Sequence, residues 1–139
     1  WIYLMEAEPA WQYTPEANSF SALGNYAGMS LETTDMNRSA AIYEAIGFKT
    51  TQGSAESGFV SYDNNGFGLV LMKPFMCPHL FFNPSLTYFN SGKNLEVIEK
   101  IRALQIPITQ EITHFNKEGI ADNIIIRDPG GYGFFIFND

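Results

Sequence analysis

The chain has 139 residues, of which 45% are hydrophobic and 15% aromatic, and its net charge is −7. This length suits one domain that buries about two-thirds of its unfolded surface. The acidic balance, with only eight scattered Lys and Arg, argues against nucleic-acid binding. No apolar run reaches the ~18 residues of a membrane span, and the single Cys77 allows no internal disulfide. We therefore expect a cytoplasmic domain without nucleic-acid or membrane partners.

Residues 1–26 lie outside the pattern that organises the rest of the chain. Trp1 to Met5 is apolar enough for a strand, but the stretch that follows mixes Pro, Asn, Ser and Gly without a period. We interpret the segment as an arm or linker lying on the core. The alternative is an edge strand contributed to a neighbouring copy.

Residues 27–73 predict a first β-α-β-β-β module. Its opening strand, at about 26–34, is followed by Asp35, which is suited to cap a helix that starts near Asn37. Gly47 closes this helix, because glycine adopts the left-handed C′ conformation at little cost. The pattern then predicts three further strands, at 48–51, 59–62 and 69–72.

A Pro-rich link at 74–84 leads to a second module at 85–138 with the same order of elements. Its first strand is expected at 85–90 and its helix at 91–104, where apolar residues recur at helical spacing. Pro107 bars continuation of the helix and confines the next strand, 106–112, to a sheet edge. A polar loop then precedes the last two strands.

The two modules end in hairpins that share one sequence frame. Asp63-Asn64-Asn65-Gly66-Phe67-Gly68 is matched 65 residues later by Asp128-Pro129-Gly130-Gly131-Tyr132-Gly133. Pro presets φ and each Gly permits positive φ, so both segments predict turns between strands. A fixed period over matching elements indicates an internal repeat. Because four strands and one helix cannot bury a sheet face alone, we expect the modules to share a core around a common cleft.

In order and spacing, these elements resemble the vicinal oxygen chelate superfamily, which includes glyoxalase I, bleomycin-resistance proteins and extradiol dioxygenases. The resemblance covers residues 27–138 and implies an α+β fold of two tandem βαβββ modules forming a cup-shaped, partly open barrel. The family habit of pairing also implies a homodimer. The matching motifs are Leu31-x-x-x-Asp35, Ala41-Ile42-Tyr43-x-x-x-Gly47-Phe48, Glu99-Lys100-Ile101-Arg102 and Asp128-Pro129-x-Gly131-Tyr132.

The resemblance also implies where a divalent metal would be held, since many members take ligands from the first and last strand of each module. Imidazole and carboxylate groups suit such metals. The four places fall at Gly28, at Val70 or Leu71, at Ser85 or Leu86, and at Phe135. None of these is a customary ligand, so we expect no metal and no cofactor.

The two histidines offer only weak alternatives. His79 stands two residues from Cys77 in the link, but two ligands do not fill a tetrahedral site. His114 with Glu111 is a possible catalytic pair beside a loop. The alternative for both histidines is a solvated surface position.

Strand alternation from Gly28 predicts which residues face the cleft. They are apolar or hydroxyl-bearing with one carboxylate: Ser30, Glu32, Val70, Met72, Ser85, Thr87, Phe89, Phe135 and Phe137. Such walls are typical of a small-molecule pocket, although they also suit a filled core. Glu32 is a candidate general base, with an ion pair to Lys73, contact with a cationic ligand or a solvated strand end as alternatives.

These observations predict a metal-independent protein that sequesters or carries a small, partly aromatic ligand in the cleft between the modules. One alternative is a lyase or dioxygenase-type enzyme that uses Glu32 as a base or a non-standard metal site. A second is a dimeric interaction module whose cup is filled by side chains.

Overall fold

The computed structural model describes Glu6, residues 22–77 and residues 84–138. The predicted arm lies mostly outside these residues, and so does His79. The elements are, in chain order, β1 Asn25–Glu32, α1 Met36–Ala45, β2 Lys49–Ser54, β3 Phe59–Asn64, β4 Phe67–Met72, β5 Ser85–Phe89, α2 Asn94–Ala103, β6 Gln110–Ile112, β7 Asn123–Arg127 and β8 Gly133–Phe137.

The eight strands form one open sheet in the order β2-β3-β4-β1-β5-β8-β7-β6. Each module places its first strand beside its last in parallel, with the other neighbours antiparallel. The two first strands, β1 and β5, pair antiparallel at the centre and so join the modules. This arrangement confirms the predicted α+β fold of two βαβββ modules.

The first hairpin, between β3 and β4, turns through two residues. Asn65 and Gly66 both have positive φ, 53° and 85°, and Asn64 pairs with Phe67 across the turn. Two left-handed residues in succession match the right-handed twist of the flanking strands. The Asp63 carboxylate accepts a hydrogen bond from the Gly66 N–H at 3.1 Å, which holds the turn closed.

The second hairpin has the same sequence frame but a longer turn. Gly131 has a φ of 92°, and the Asp128 carboxylate accepts the Tyr132 N–H at 2.7 Å. Arg127 pairs with Gly133, whereas in the first hairpin Asp63 itself pairs with the equivalent glycine, Gly68. The pairing of β7 with β8 is therefore displaced by one residue from that of β3 with β4, although the sequence spacing is constant.

The first helix begins and ends as the sequence predicts. The Asp35 carboxylate accepts the Arg38 N–H at 3.0 Å, and Gly47 has a φ of 102°. The second helix begins at Asn94 rather than at 91, because Ser91 and Gly92 have positive φ and cannot belong to a right-handed helix. No helix of the described residues is long and apolar enough to cross a membrane.

Two strands differ most from the predicted bounds. β6 contains only Gln110–Ile112, because Pro107 lacks an N–H and the ladder is joined first by Thr109, whose N–H donates to the Ile125 carbonyl. β2 continues to Ser54, past a register shift between Thr50 and Gln52. Both are the edge strands of the sheet, where pairing is least constrained.

Three apolar clusters hold the sheet and helices together. One contains Met36 and Ala40 of α1 and packs against β3 and β4, and another places α2 against β7 and β8. The third lies on the opposite face of the sheet and contains Met72 of β4, Ile112 of β6, Ile125 and Phe135. Phe59 of β3 packs against this third cluster, so the sheet curves until strands from both modules meet over its concave face.

The α2 cluster provides a direct test of this packing. Ile98 is 0% exposed, whereas Leu95, one turn earlier on the same helix, is 49% exposed. Ile98→Ala is expected to lower the free energy of unfolding by about 2–5 kcal/mol, through lost burial and a residual cavity. Leu95→Ala, the matched control, is expected to change it by less than about 0.5 kcal/mol. Urea denaturation followed by circular dichroism measures both values, and equal losses would contradict the packing.

Candidate functional site

A cleft of about 630 Å³ opens on the concave face of the sheet. Strands of both modules contribute to it, β1 to β4 from the first and β5 and β8 from the second. Its described lining consists of Ala27, Gly28, Ser30, Thr51, Gln52, Phe59, Ser61, Tyr62, Asp63, Gly68, Leu69, Val70, Met72, Thr87, Phe89, Phe135 and Phe137.

The floor of the cleft is low because its central side chains are small. Ser61, Val70 and Ser30 are successive cross-strand neighbours on β3, β4 and β1. Cross-strand neighbours project from the same face of a sheet. Gly28 and Gly68 also line the cleft, and neither adds a side chain to its floor.

Aromatic rings form the wall on the side of the second module. The rings of Phe89 and Phe137 meet edge to face at 5.9 Å, and those of Phe135 and Phe137 are 5.3 Å apart. Phe59 of β3 also lines the cleft. Phe135 and Met72 line it too and are buried in the third cluster, against which Phe59 packs. Apolar side chains of both modules therefore meet on the concave face.

Seven of the nine residues predicted to face the cleft line it. They are Ser30, Val70, Met72, Thr87, Phe89, Phe135 and Phe137. Glu32 is not part of this lining, and its Oε1 accepts the Phe75 N–H at 3.3 Å. Ser85 is 1% exposed below the cleft floor, and its Oγ has no hydrogen-bond partner in the structure. The structure therefore does not bring Glu32 to the position that the predicted base requires.

The lining also contains residues that the sequence reasoning missed. Phe59, Ser61 and Asp63 alternate along β3, so period-two counting from the apolar end of this strand would have found them. Thr51 and Gln52 of β2 are consecutive yet both line the cleft, because the register shift there interrupts the alternation. No sequence signal marked that shift.

The polar side chains of the cleft are hydroxyls, the Gln52 amide and one carboxylate, that of Asp63. The Ser30 and Thr87 hydroxyls are 3.5 Å apart on the floor, a long contact that leaves both able to bond to a ligand. The Tyr62 hydroxyl donates to Glu44 at 3.1 Å on the helix side of the sheet. Burial raises the pKa of Tyr62, and the bond to Glu44 adds to this. Tyr62 therefore supplies no acid to the cleft.

The described residues do not fit the metal that the resemblance implies. The four strand positions are Gly28, Val70, Ser85 and Phe135, and only the serine has a side-chain oxygen. A neutral hydroxyl is a poor substitute for imidazole or carboxylate. Nowhere in the described ranges do three or more His, Cys, Asp and Glu gather closely enough to hold a metal ion.

At Gly28 the site is closed sterically as well as chemically. A Cβ on this residue would stand 2.6 Å from the Gly68 carbonyl oxygen, and its φ of 153° is rare for residues with side chains. Gly68 is equally confined, with a Cβ position 2.4 Å from the Ala27 carbonyl oxygen. The backbones of β1 and β4 thus occupy the space that a metal-ligating side chain at position 28 would need.

The pair of Glu111 and His114 lies away from the cleft lining. Glu111 accepts from Arg102 of α2 at 2.6 Å and so ties β6 to that helix. The His114 ring contacts the Phe115 ring, with 4.6 Å between centroids. These contacts give Glu111 a structural role.

Comparison with known proteins identifies the architecture. No protein-family model matches the sequence, and no curated protein matches it either. Among solved structures, a glyoxalase/bleomycin resistance protein/dioxygenase superfamily member from Vibrio splendidus is 16% identical, with a TM-score of 0.54 over 81% of this chain and 97% of that one. The chain has the vicinal oxygen chelate fold.

A second solved structure is similar to this chain and is named for a different activity. An NAD-dependent benzaldehyde dehydrogenase from Legionella pneumophila is 15% identical, with a TM-score of 0.61 over 79% of this chain and 96% of that one. At such identities the likeness concerns the fold alone. Function in this vicinal oxygen chelate fold must be argued from its own cleft.

The closed position at Gly28 predicts a specific instability. Gly28→Ala is expected to lower the free energy of unfolding by about 1–3 kcal/mol more than Gly119→Ala, because the added methyl overlaps the Gly68 carbonyl. Gly119 is the control, since its φ is also positive, 68°, and nothing lies within 4 Å of its Cβ position. Thermal and urea denaturation of both variants measures the difference. Equal losses would show that the β1–β4 contact is looser than described.

Proposed function

We propose that this protein binds a small, partly aromatic molecule in the cleft between its modules, without a metal ion, and sequesters or carries it. The observation that carries the proposal is the cleft itself, about 630 Å³ with a floor of small residues and aromatic walls. Small-molecule sites are concave, mostly apolar and ~300–1,000 Å³ in volume. A filled interaction module has no need of such a space.

The walls support an aromatic ligand. Phe59 and Phe89 both line the cleft, and Phe89 is 36% exposed. An exposed phenyl ring on a concave surface leaves apolar area in water that a ligand ring can cover. Aromatic pairs contribute about 0.5–1.5 kcal/mol beyond simple area burial, which favours a flat, unsaturated ligand over an aliphatic one of equal size.

The floor supports a ligand with at least one hydrogen-bonding group. Ser30 and Thr87 present hydroxyls at the centre of the cleft, and Ser61 lies beside Val70 in the same row. Each hydroxyl both donates and accepts, so the floor accommodates a carbonyl, a hydroxyl or an amine. A few such groups in an apolar site orient the ligand more than they hold it.

Binding without chemistry is favoured over catalysis because the cleft lacks a recognisable acid–base pair. Its described lining contains no histidine, cysteine or lysine, and Glu32 is bonded to a loop N–H outside it. General acid–base catalysis needs a titratable group within hydrogen-bond reach of the substrate. Asp63 is the carboxylate that reaches the cleft, and one carboxylate serves recognition without any partner.

The aromatic wall can be tested with a neutral solvatochromic dye, Nile red. Phe89→Ala is expected to weaken its binding about fivefold, since one wall of the cleft is removed. Phe115→Ala is the matched control, because Phe115 also meets the Phe137 ring edge to face, at 5.8 Å, but lies outside the lining. Fluorescence titration gives both dissociation constants. No binding to the wild-type protein, or equal weakening by both variants, would overturn the proposed site.

Metal independence has its own measurement. A metal at about 100 times its dissociation constant would stabilise the fold by about 2.7 kcal/mol, which shifts the melting temperature of a domain this size by several degrees. We expect no such shift with Ni²⁺, Zn²⁺, Mn²⁺ or Fe²⁺. Exhaustive dialysis against EDTA is likewise expected to leave Nile red affinity unchanged. A strong shift with one metal, or affinity lost on chelation, would contradict the proposal.

A further inference from the structure

We infer that the cleft selects cationic aromatic molecules, and that Asp63 is the residue that recognises their charge. This inference rests on the proposed binding function and specifies its ligand class. Asp63 is the charged side chain among the described residues that line the cleft. It stands on β3 two residues beyond Ser61, and its cross-strand neighbour on β4 is Gly68, which also lines the cleft.

The position of Asp63 is fixed by its hairpin. Its carboxylate accepts the Gly66 N–H at 3.1 Å, and the two-residue turn holds that donor in place. One neutral N–H leaves most of the acceptor capacity of a carboxylate unused, since each oxygen accepts about two hydrogen bonds. The half-buried Asp63 therefore presents a preoriented negative group to a ligand in the cleft.

No cationic side chain lines the cleft in the described residues. Lys49 is the cross-strand neighbour of Asp63 but is exposed, and the two side chains form no ion pair. An anionic ligand would thus lose hydration without gaining a counter-charge, while a cation gains one at Asp63. The net charge of −7 adds a field that concentrates cations around the whole protein.

The walls favour the same ligand class. Phenyl faces attract cations within about 6 Å of the ring centroid, through the negative charge density on the ring face. Phe59 and Phe89 line the cleft together with Asp63. A molecule that joins a flat ring to an ammonium or amidinium group matches both features at once, whereas a neutral aromatic molecule matches only the rings.

The internal repeat supplies a matched control. Asp128 occupies the place of Asp63 in the second hairpin and likewise accepts a turn N–H, that of Tyr132. Asp128 lies outside the lining of the cleft. Asp63→Asn and Asp128→Asn therefore remove the same charge from equivalent turns, and an asparagine side-chain oxygen can still accept the turn N–H. Only the first substitution removes charge from the site.

The test compares three naphthalene probes by isothermal titration calorimetry at low salt: 2-naphthylmethylammonium, 2-naphthylmethanol and 2-naphthoate. We expect the cation to bind about fivefold more tightly than the alcohol, and the anion about fivefold more weakly, which is the range of partly exposed charge pairs. Asp63→Asn is expected to abolish the advantage of the cation over the alcohol. Asp128→Asn is expected to preserve the advantage, and Lys49→Gln to increase it.

The outcomes separate this inference from the function on which it rests. If none of the probes binds, both the cleft site and its charge preference are overturned. If the three bind equally, or the anion binds best, the charge preference is overturned while the binding function stands. Equal effects of Asp63→Asn and Asp128→Asn would also overturn the inference, because the preference would then come from the overall charge.

Discussion

The antiparallel pairing of β1 with β5 is the constraint on which the concave face depends. Within the described sheet, β1 and β5 are the only strands that pair across the two modules. Their register sets which side chains meet on the floor of the cleft. The pairing is interrupted between Tyr26 and Gly28, where β1 carries an extra residue. Such a bulge re-aims the strand, and here it brings Gly28 against the Gly68 backbone.

The close approach of the β1 and β4 backbones affects both the stability of the sheet and the side chains that the cleft can have at positions 28 and 68. Glycine at 28 and 68 allows the backbones of β1 and β4 to come together, and both residues line the cleft without a side chain. A metal-ligating side chain at Gly28 would have to displace the Gly68 carbonyl. Position 28 therefore offers no metal-ligating side chain, and the polar groups of the cleft floor are the uncharged hydroxyls of Ser30 and Thr87.

The fold was predictable because its signals are local and repeated. The Asp35 cap, the Gly47 stop and both hairpin turns act within a few residues, and the 65-residue spacing of the two hairpin frames reveals the second module. The cleft was predictable where strands alternate regularly, as in β4, β5 and β8. It was not predictable at Glu32, whose carboxylate bonds to the Phe75 N–H across 43 positions of sequence, or at Thr51 and Gln52, where a register shift breaks the period. Long-range contacts and bulges leave no periodic signal.

The two hairpins show how repeated sequence frames contribute differently to the cleft. Their sequence frames coincide, but the turn after Asp128 is longer and displaces the pairing of β7 with β8 by one residue. In a strand, a displacement of one residue changes which side chains share a face with a given partner. Asp63 therefore stays in register with Gly68 on the cleft face, while Asp128 falls within the turn that follows Arg127. The difference of one residue in turn length therefore leaves Asp63, and not Asp128, in the lining of the cleft.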